Sequence, residues 1–256
     1  MPNSTKVRLI ALFSLTSMFL SFFAGCLEET SPAVKLYVNA VQLKQENQNQ
    51  QALKALDKSV KSDEKFSLGY SLMGDIYSEL KQYEKSAAAY NKATQINPWS
   101  FDDYYNLGRT YQLMEKFALA VQAYRKACQL KPDHLKAHLN AAKSYYKLGD
   151  YDNALTYGNI ADQINPDVSE LKQLLGELYQ NQQNYEQAIA SYKRALELDS
   201  DNPEIMYSLA VVYLRVGRYQ PAKVLLNAAI EKKPYNNQPY QNLGYTLLHL
   251  KEIDKS

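Results

Sequence analysis

Small and aromatic side chains keep a 34-residue beat along this chain. A tyrosine stands at the eleventh place of five consecutive windows, as Tyr77, Tyr111, Tyr145, Tyr179 and Tyr213. Small residues follow in step at Ser86, Ala120, Ala154, Ala188 and Ala222, and again at Ala93, Ala127, Ala161, Ala195 and Ala229. The eighth place holds Gly74, Gly108, Gly176 and Gly244, with Ala142 and Ala210 keeping it small where glycine is absent. Pro98, Pro132, Pro166 and Pro234 share the period, and Ser200 fills the missing beat. This pattern predicts two helices per window packed at close range. Small residues let helix axes approach to ~8–10 Å while tyrosines and leucines fill the gaps, and proline stops the second helix.

A period of this length with these marks resembles the tetratricopeptide-repeat family. Five full windows fall at 67–100, 101–134, 135–168, 169–202 and 203–236. Residues 33–66 fit the register with Ala52 and Leu56 but carry Asn39, Leu43 and Glu64 where Leu, Tyr and Pro are usual. Residues 237–256 offer Tyr240, Leu243 and Gly244, then only the first turn of a second helix. The resemblance implies an all-α, right-handed superhelix of helix-turn-helix repeats, with a degenerate repeat before the five and a partial one after.

The amino terminus is a different kind of sequence. Lys6 and Arg8 precede an uncharged apolar run from Leu9 to Gly25, the layout of a secretory signal peptide over residues 1–25. The run is shorter than the ~20 residues of a spanning helix. Phe23-Ala24-Gly25-Cys26 resembles the lipobox of bacterial lipoproteins, which usually has Leu at the place of Phe23. The resemblance implies that Cys26 is lipidated and becomes the first residue of a membrane-anchored chain. Several acyl chains, at ~0.8 kcal/mol per buried CH₂, would make that attachment stable. Leu27, rather than Asp, implies the outer membrane, facing the periplasm, in a Gram-negative source. Residues 26–32 then form a lipidated tether whose ~3.6 Å per residue holds the first helix within about 20 Å of the membrane.

Charge and chemistry narrow the function. Without Lys6 and Arg8 the chain has 27 basic and 27 acidic residues, so it shows no basic excess for a nucleic-acid partner. Cys128, with Cys26 modified, has no internal disulfide partner and reads as a buried, inert thiol. No glycine loop follows a strand pattern to cradle phosphate. His134 and His138 are spaced for one helix face, but Leu-Lys-Ala between them lacks a metalloprotease glutamate, so an exposed pair is expected rather than a metal site. The chain is read as a non-enzyme with no catalytic residue, metal or cofactor. Two alternatives stay open: a regulatory part of a longer enzyme whose catalytic domain lies beyond Ser256, and a cell-wall glycan-binding protein that uses exposed tyrosines.

In the repeat family, the first helix of each repeat faces a concave groove that takes a protein or peptide partner. Transferring the groove positions gives Asp75, Ser78 and Glu79, then Asp102, Tyr105, Arg109 and Gln112, then Lys136, Lys143, Tyr146 and Lys147. Glu170, Gln173, Glu177, Gln180 and Asn181 come next, followed by Tyr207 and Arg215. The groove is thus expected to be basic in its middle, with Tyr105 and Tyr146 as aromatic anchors for an acidic or C-terminal peptide. The carboxylate clamp of chaperone-binding members is not supported: Asn106 and Lys136 match it, whereas Ser71, Asp75 and Asn140 do not.

Leu243, Leu247, Leu248, Leu250 and Ile253 leave an apolar face on the last helix, which is expected either to be covered by further sequence beyond Ser256 or to serve self-association or partner docking. Lipobox and repeats together resemble the type IV pilus assembly lipoproteins that help a secretin assemble, and more loosely the adaptors of cell-wall hydrolases. They imply a membrane-tethered scaffold or adaptor in the bacterial cell envelope.

Overall fold

A computed structural model describes residues 31–234 and 237–253. The expected leader at 1–25, the expected lipidation site Cys26 and residues 27–30 lie outside the described residues. The chain divides into two compact units after Pro98. The first holds α1 (Pro32–Gln45), α2 (Asn49–Ser62), α3 (Ser67–Glu79) and α4 (Tyr83–Ile96). The second begins with α5 (Phe101–Leu113), α6 (Phe117–Leu130), α7 (Leu135–Lys147) and α8 (Tyr151–Ile164). It continues with α9 (Ser169–Asn181), α10 (Tyr185–Leu198), α11 (Pro203–Arg215), α12 (Tyr219–Lys232) and α13 (Asn237–Ile253).

The odd-numbered helices are the first, or A, helices of their repeats and the even-numbered ones the second, or B, helices. From α7 to α11 each A helix packs on its own B helix and on the preceding B and A helices, while α5 packs on α6 and α13 packs on α12 and α11.

Short polar residues start many of these helices. Ser31 and Ser100 accept from Val34 N–H and Asp103 N–H, and Asn202 Oδ1 accepts from Glu204 N–H and Ile205 N–H. Such caps satisfy donors that the helix itself leaves bare. The A-to-B turn is equally regular. Leu80, Met114, Leu148, Gln182 and Val216 close their helices, and the next residue enters the left-handed region: Lys81, Glu115, Gly149, Gln183 and Gly217. Asn47 does the same after α1. The following N–H then reaches back to the eleventh-place carbonyl, as Gln82 N donates to Tyr77 O at 2.8 Å and Arg218 N to Tyr213 O at 2.8 Å.

Two departures from the repeat pattern have local substitutes. Where Glu64 replaces the usual proline, Asp63 Oδ1 accepts from Lys65 N–H at 2.9 Å and turns the chain. Residues 33–66 therefore form a complete helix pair, with Ala40 and Leu56 fully buried in one cluster and Ser59 Oγ donating to Ala33 O at 2.7 Å. At the other end, a turn after the last A helix is the sequence expectation. Instead α13 runs unbroken through Lys251 to Ile253.

The closest packing lies between the eighth place of each A helix and the twenty-fourth of the same repeat, on its B helix. A methyl added at Gly74, Gly108 or Gly176 would come within 2.7, 2.7 and 2.8 Å of the rings of Tyr90, Tyr124 and Tyr192. Where the eighth place is Ala40 or Ala210, the opposing residue is the fully buried Leu56 or Leu226. Ala142 faces the place of Gly158, whose surroundings are filled by Leu175 from α9. Glycine thus accompanies a ring and alanine a smaller group, which keeps the summed volume near constant.

Candidate functional site

The A helices of the second unit present a row of three adjoining hollows. Gln112, Phe117, Lys143, Tyr146, Lys147, Glu170, Gln173, Leu174 and Glu177 line the first, of about 270 Å³. Tyr146 and Glu177 also border the second, of about 250 Å³, with Gln180, Asn181, Tyr192, Tyr207, Ser208 and Val211. Tyr207 and Val211 continue into a third, more polar hollow of about 720 Å³ that adds Leu214, Arg215, Gly217, Tyr219, Asn242 and Tyr245. One face therefore carries aromatic rings, amides and both signs of charge in succession.

Buried Tyr192 of α10 lines the second hollow, and buried tyrosines of the B helices hold the amides of the A helices. Tyr192 Oη donates to Gln180 Oε1 at 3.3 Å, and Tyr124 Oη donates to Gln112 Oε1 at 2.8 Å. These bonds satisfy hydroxyls that the close glycine packing buries, and they orient the amides. Burial, more than the nearby Glu177 carboxylate, pushes the Tyr192 phenol far above its ordinary value. Tyr146 is shifted the same way by burial and then by Glu177, so both rings act as neutral donors at physiological pH.

Eleven of the sequence-predicted groove residues meet on this row: Gln112, Lys143, Tyr146, Lys147, Glu170, Gln173 and Glu177 at its start, then Gln180, Asn181, Tyr207 and Arg215. Asp102, Tyr105, Arg109 and Lys136 of the same unit do not. Arg109 and Lys136 are exposed but border none of the hollows. Tyr105 is not a free anchor. Its ring stacks on Phe101 at 5.7 Å and meets the His134 ring at 5.3 Å, while its hydroxyl accepts from Asn140 Nδ2 at 3.3 Å. The basic middle is also weaker than expected, because Lys143 is ion-paired with Glu170 of the next A helix.

Residues added by the fold include Ser208, Val211, Tyr219, Asn242 and Tyr245. Asn242 had a legible cue: its Nδ2 donates to Tyr207 Oη at 3.1 Å, the same Tyr-to-Asn step of one repeat plus one residue that joins Tyr105 to Asn140.

The histidine pair is not exposed. His134 Nδ1 accepts from Ala137 N–H at 3.1 Å as the cap of α7, and His138 is buried with Nε2 2.9 Å from Pro132 O. Burial lowers the pKa of His138. Cys128 is buried and its thiol is pushed up to about 12 by that burial. Among the described residues no group of three or more His, Cys, Asp or Glu is placed to hold a metal ion, and no helix is long and apolar enough to cross a membrane.

Paired helices stacked in register, with an open polar and aromatic face along the A helices, define a helical-repeat protein suited to holding other polypeptides. Family models described as TPR repeat match residues 74–115 and 176–217, and those described as tetratricopeptide repeat match 102–134 and 136–157. The chain is a tetratricopeptide-repeat protein, an all-α solenoid of a type that is typically non-catalytic and that supports an interaction scaffold.

Solved structures share the fold at low identity. YrrB, a TPR protein with an unusual peptide-binding site, superposes with a TM-score of 0.64 at 20% identity over 78% of this chain and 99% of its own. MamA gives 0.63 at 18% over 66% and 92%. MamA from Desulfovibrio magneticus gives 0.60 at 15% over 67% and 97%. No curated protein sequence matches this one significantly.

Proposed function

We propose that the chain is a membrane-tethered scaffold of the bacterial cell envelope, anchored through lipid on Cys26, that holds an extended segment of a partner protein along the A-helix row of its second unit. The observation that carries the binding part is the continuity of the three hollows through shared walls at Tyr146 with Glu177 and at Tyr207 with Val211. An extended segment places successive side chains ~6–7 Å apart on one side, a spacing that suits a row of small hollows better than one deep pocket does. Lys147 and Arg215 attract acidic side chains, and Tyr146 and Tyr207 offer rings to apolar ones. The peptide-binding site named for YrrB is consistent with this use of the fold. The tether is supported by the Leu9–Gly25 apolar run and by Cys26 at its end.

Crosslinking and co-purification of the full-length protein from its native membrane tests both parts. A specific partner is expected with the natural chain and is lost with Lys143→Glu plus Lys147→Glu. Membrane association is expected to vanish with Cys26→Ala. Partner recovery that is indifferent to the double substitution would overturn the groove, and a membrane-bound Cys26→Ala protein would overturn the lipid anchor.

A further inference from the structure

The three hollows of the A-helix row differ in charge. In the first, Lys143 is neutralised by Glu170, while Lys147 is exposed and in no ion pair among the described residues. Among the described residues lining the third, Arg215 alone is charged. Between them, Glu177 alone is charged among the described residues lining the second, beside Tyr146, Tyr192 and Tyr207. Glu170 and Glu177 share α9, yet a lysine answers Glu170 and none answers Glu177. Glu177 enters no ion pair among the described residues, although it also borders the first hollow with Lys143 and Lys147. Its half-buried carboxylate accepts from Gln173 Nε2 at 3.2 Å. A carboxylate has about four acceptor sites, so capacity remains. Asn181 spends Nδ2 on Glu177 O at 2.9 Å, which leaves its amide oxygen for a donor from outside.

An acidic side chain seated in the second hollow would be repelled by this carboxylate, and an apolar one would take the carboxylate further from water without a partner, which is costly. A lysine or arginine side chain fits every part: its head meets the carboxylate and the amide oxygen, and its stem lies against tyrosine rings. Resting on the reading of the row as the seat of an extended partner segment, we infer that the second hollow receives a cationic side chain of that segment, flanked on each side by an acidic residue that Lys147 and Arg215 address. Adjacent A helices stand ~8–10 Å apart and an extended chain advances ~3.3 Å per residue, so each acidic residue falls about two or three places from the basic one. The charge order reads alike in both directions and is therefore independent of how the segment runs.

The probe is a displayed library of random peptides long enough to span the three hollows, panned on the full chain and on its Glu177→Gln variant. The natural chain should enrich arginine or lysine with an aspartate or glutamate two or three places to each side. A synthetic peptide of the enriched sequence is then titrated in two forms, with arginine at the basic place or with citrulline, a neutral group of the same shape. Citrulline should weaken binding to the natural chain at least about fivefold. Glu177→Gln should bind the two forms equally and enrich acidic residues without the base. Its melting temperature should match that of the natural chain, because glutamine keeps an acceptor for Gln173. Enriched acidic peptides that lack a base, or an arginine-to-citrulline difference that survives in Glu177→Gln, would overturn the inference and leave the row standing as a binding face. Enrichment of no peptide, or capture indifferent to Lys143→Glu plus Lys147→Glu, would overturn the row itself and the inference with it.

Discussion

The ring of Tyr192 packs so near Gly176 that a methyl added to the glycine would lie 2.8 Å from its carbons. Ring and glycine are therefore a matched pair across α9 and α10. Gly176→Ala should cost about 1–3 kcal/mol through overpacking, partly offset by the ~1 kcal/mol that alanine gains over glycine in a helix. Gly244→Ala, in open space on α13, should keep only the gain and stabilise by up to about 1 kcal/mol. Chemical denaturation of both variants checks the contrast; equal effects would show that the rings, not the backbone, adapt.

That contrast marks how far the sequence was legible. The period exposed the helix pairs and the close contacts because volume at the eighth place has to match volume at the twenty-fourth, and both recur at fixed spacing. The groove positions that the family resemblance implies also brought Lys143, Tyr146, Lys147, Glu177 and Tyr207 to one face, because position along an A helix decides orientation. What remained hidden depends on contacts between repeats. Tyr105 is engaged by His134, the cap of the next A helix, and by Asn140 of the following repeat, and Lys143 is paired with Glu170 of the repeat after its own. His138 looked solvated because its spacing from His134 was all the sequence offered, whereas the carbonyl of Pro132 receives it in the core.

Tyr105 thus serves the stack and not a ligand. Asn140→Ala should destabilise by about 1 kcal/mol, the net worth of a typical hydrogen bond, and Tyr105→Phe by a similar amount. In a double-mutant cycle the two losses should overlap rather than add. Tyr105→Phe should also leave partner capture unchanged. Loss of capture would restore this residue to the binding face.

The Lys143–Glu170 pair holds back charge from the first hollow. Glu170 is 62% exposed, so the pair contributes little to stability, within about 0–1 kcal/mol. Glu170→Gln should therefore leave the melting temperature nearly unchanged while strengthening capture of an acidic segment several-fold at low salt. The gain should shrink as ionic strength rises, since screening acts on exposed charge. Titration of an acidic peptide at two salt concentrations measures it, and an unchanged affinity would mean that Lys143 does not address the hollow.

Alkaline pH should loosen the repeats from within. Burial holds the Cys128 thiol protonated up to about 12, against an ordinary value of 9.0, and it holds the Tyr124 and Tyr192 phenols well above theirs. Above the ordinary values the unfolded chain releases these protons while the native chain keeps them. Stability from these groups is thus fully present below pH 9 and falls as pH rises, through about 12 for the thiol. The slope approaches ~1.4 kcal/mol per pH unit for each group in its window. Cys128→Ala should accordingly lessen the loss of stability between pH 9 and 10, and Tyr192→Phe should lessen it only above about pH 10. Urea melts across that range read both slopes. Parallel curves for the natural and Cys128→Ala proteins would show that the thiol ionises in the folded state, which requires the pocket between α6 and its neighbours to admit water.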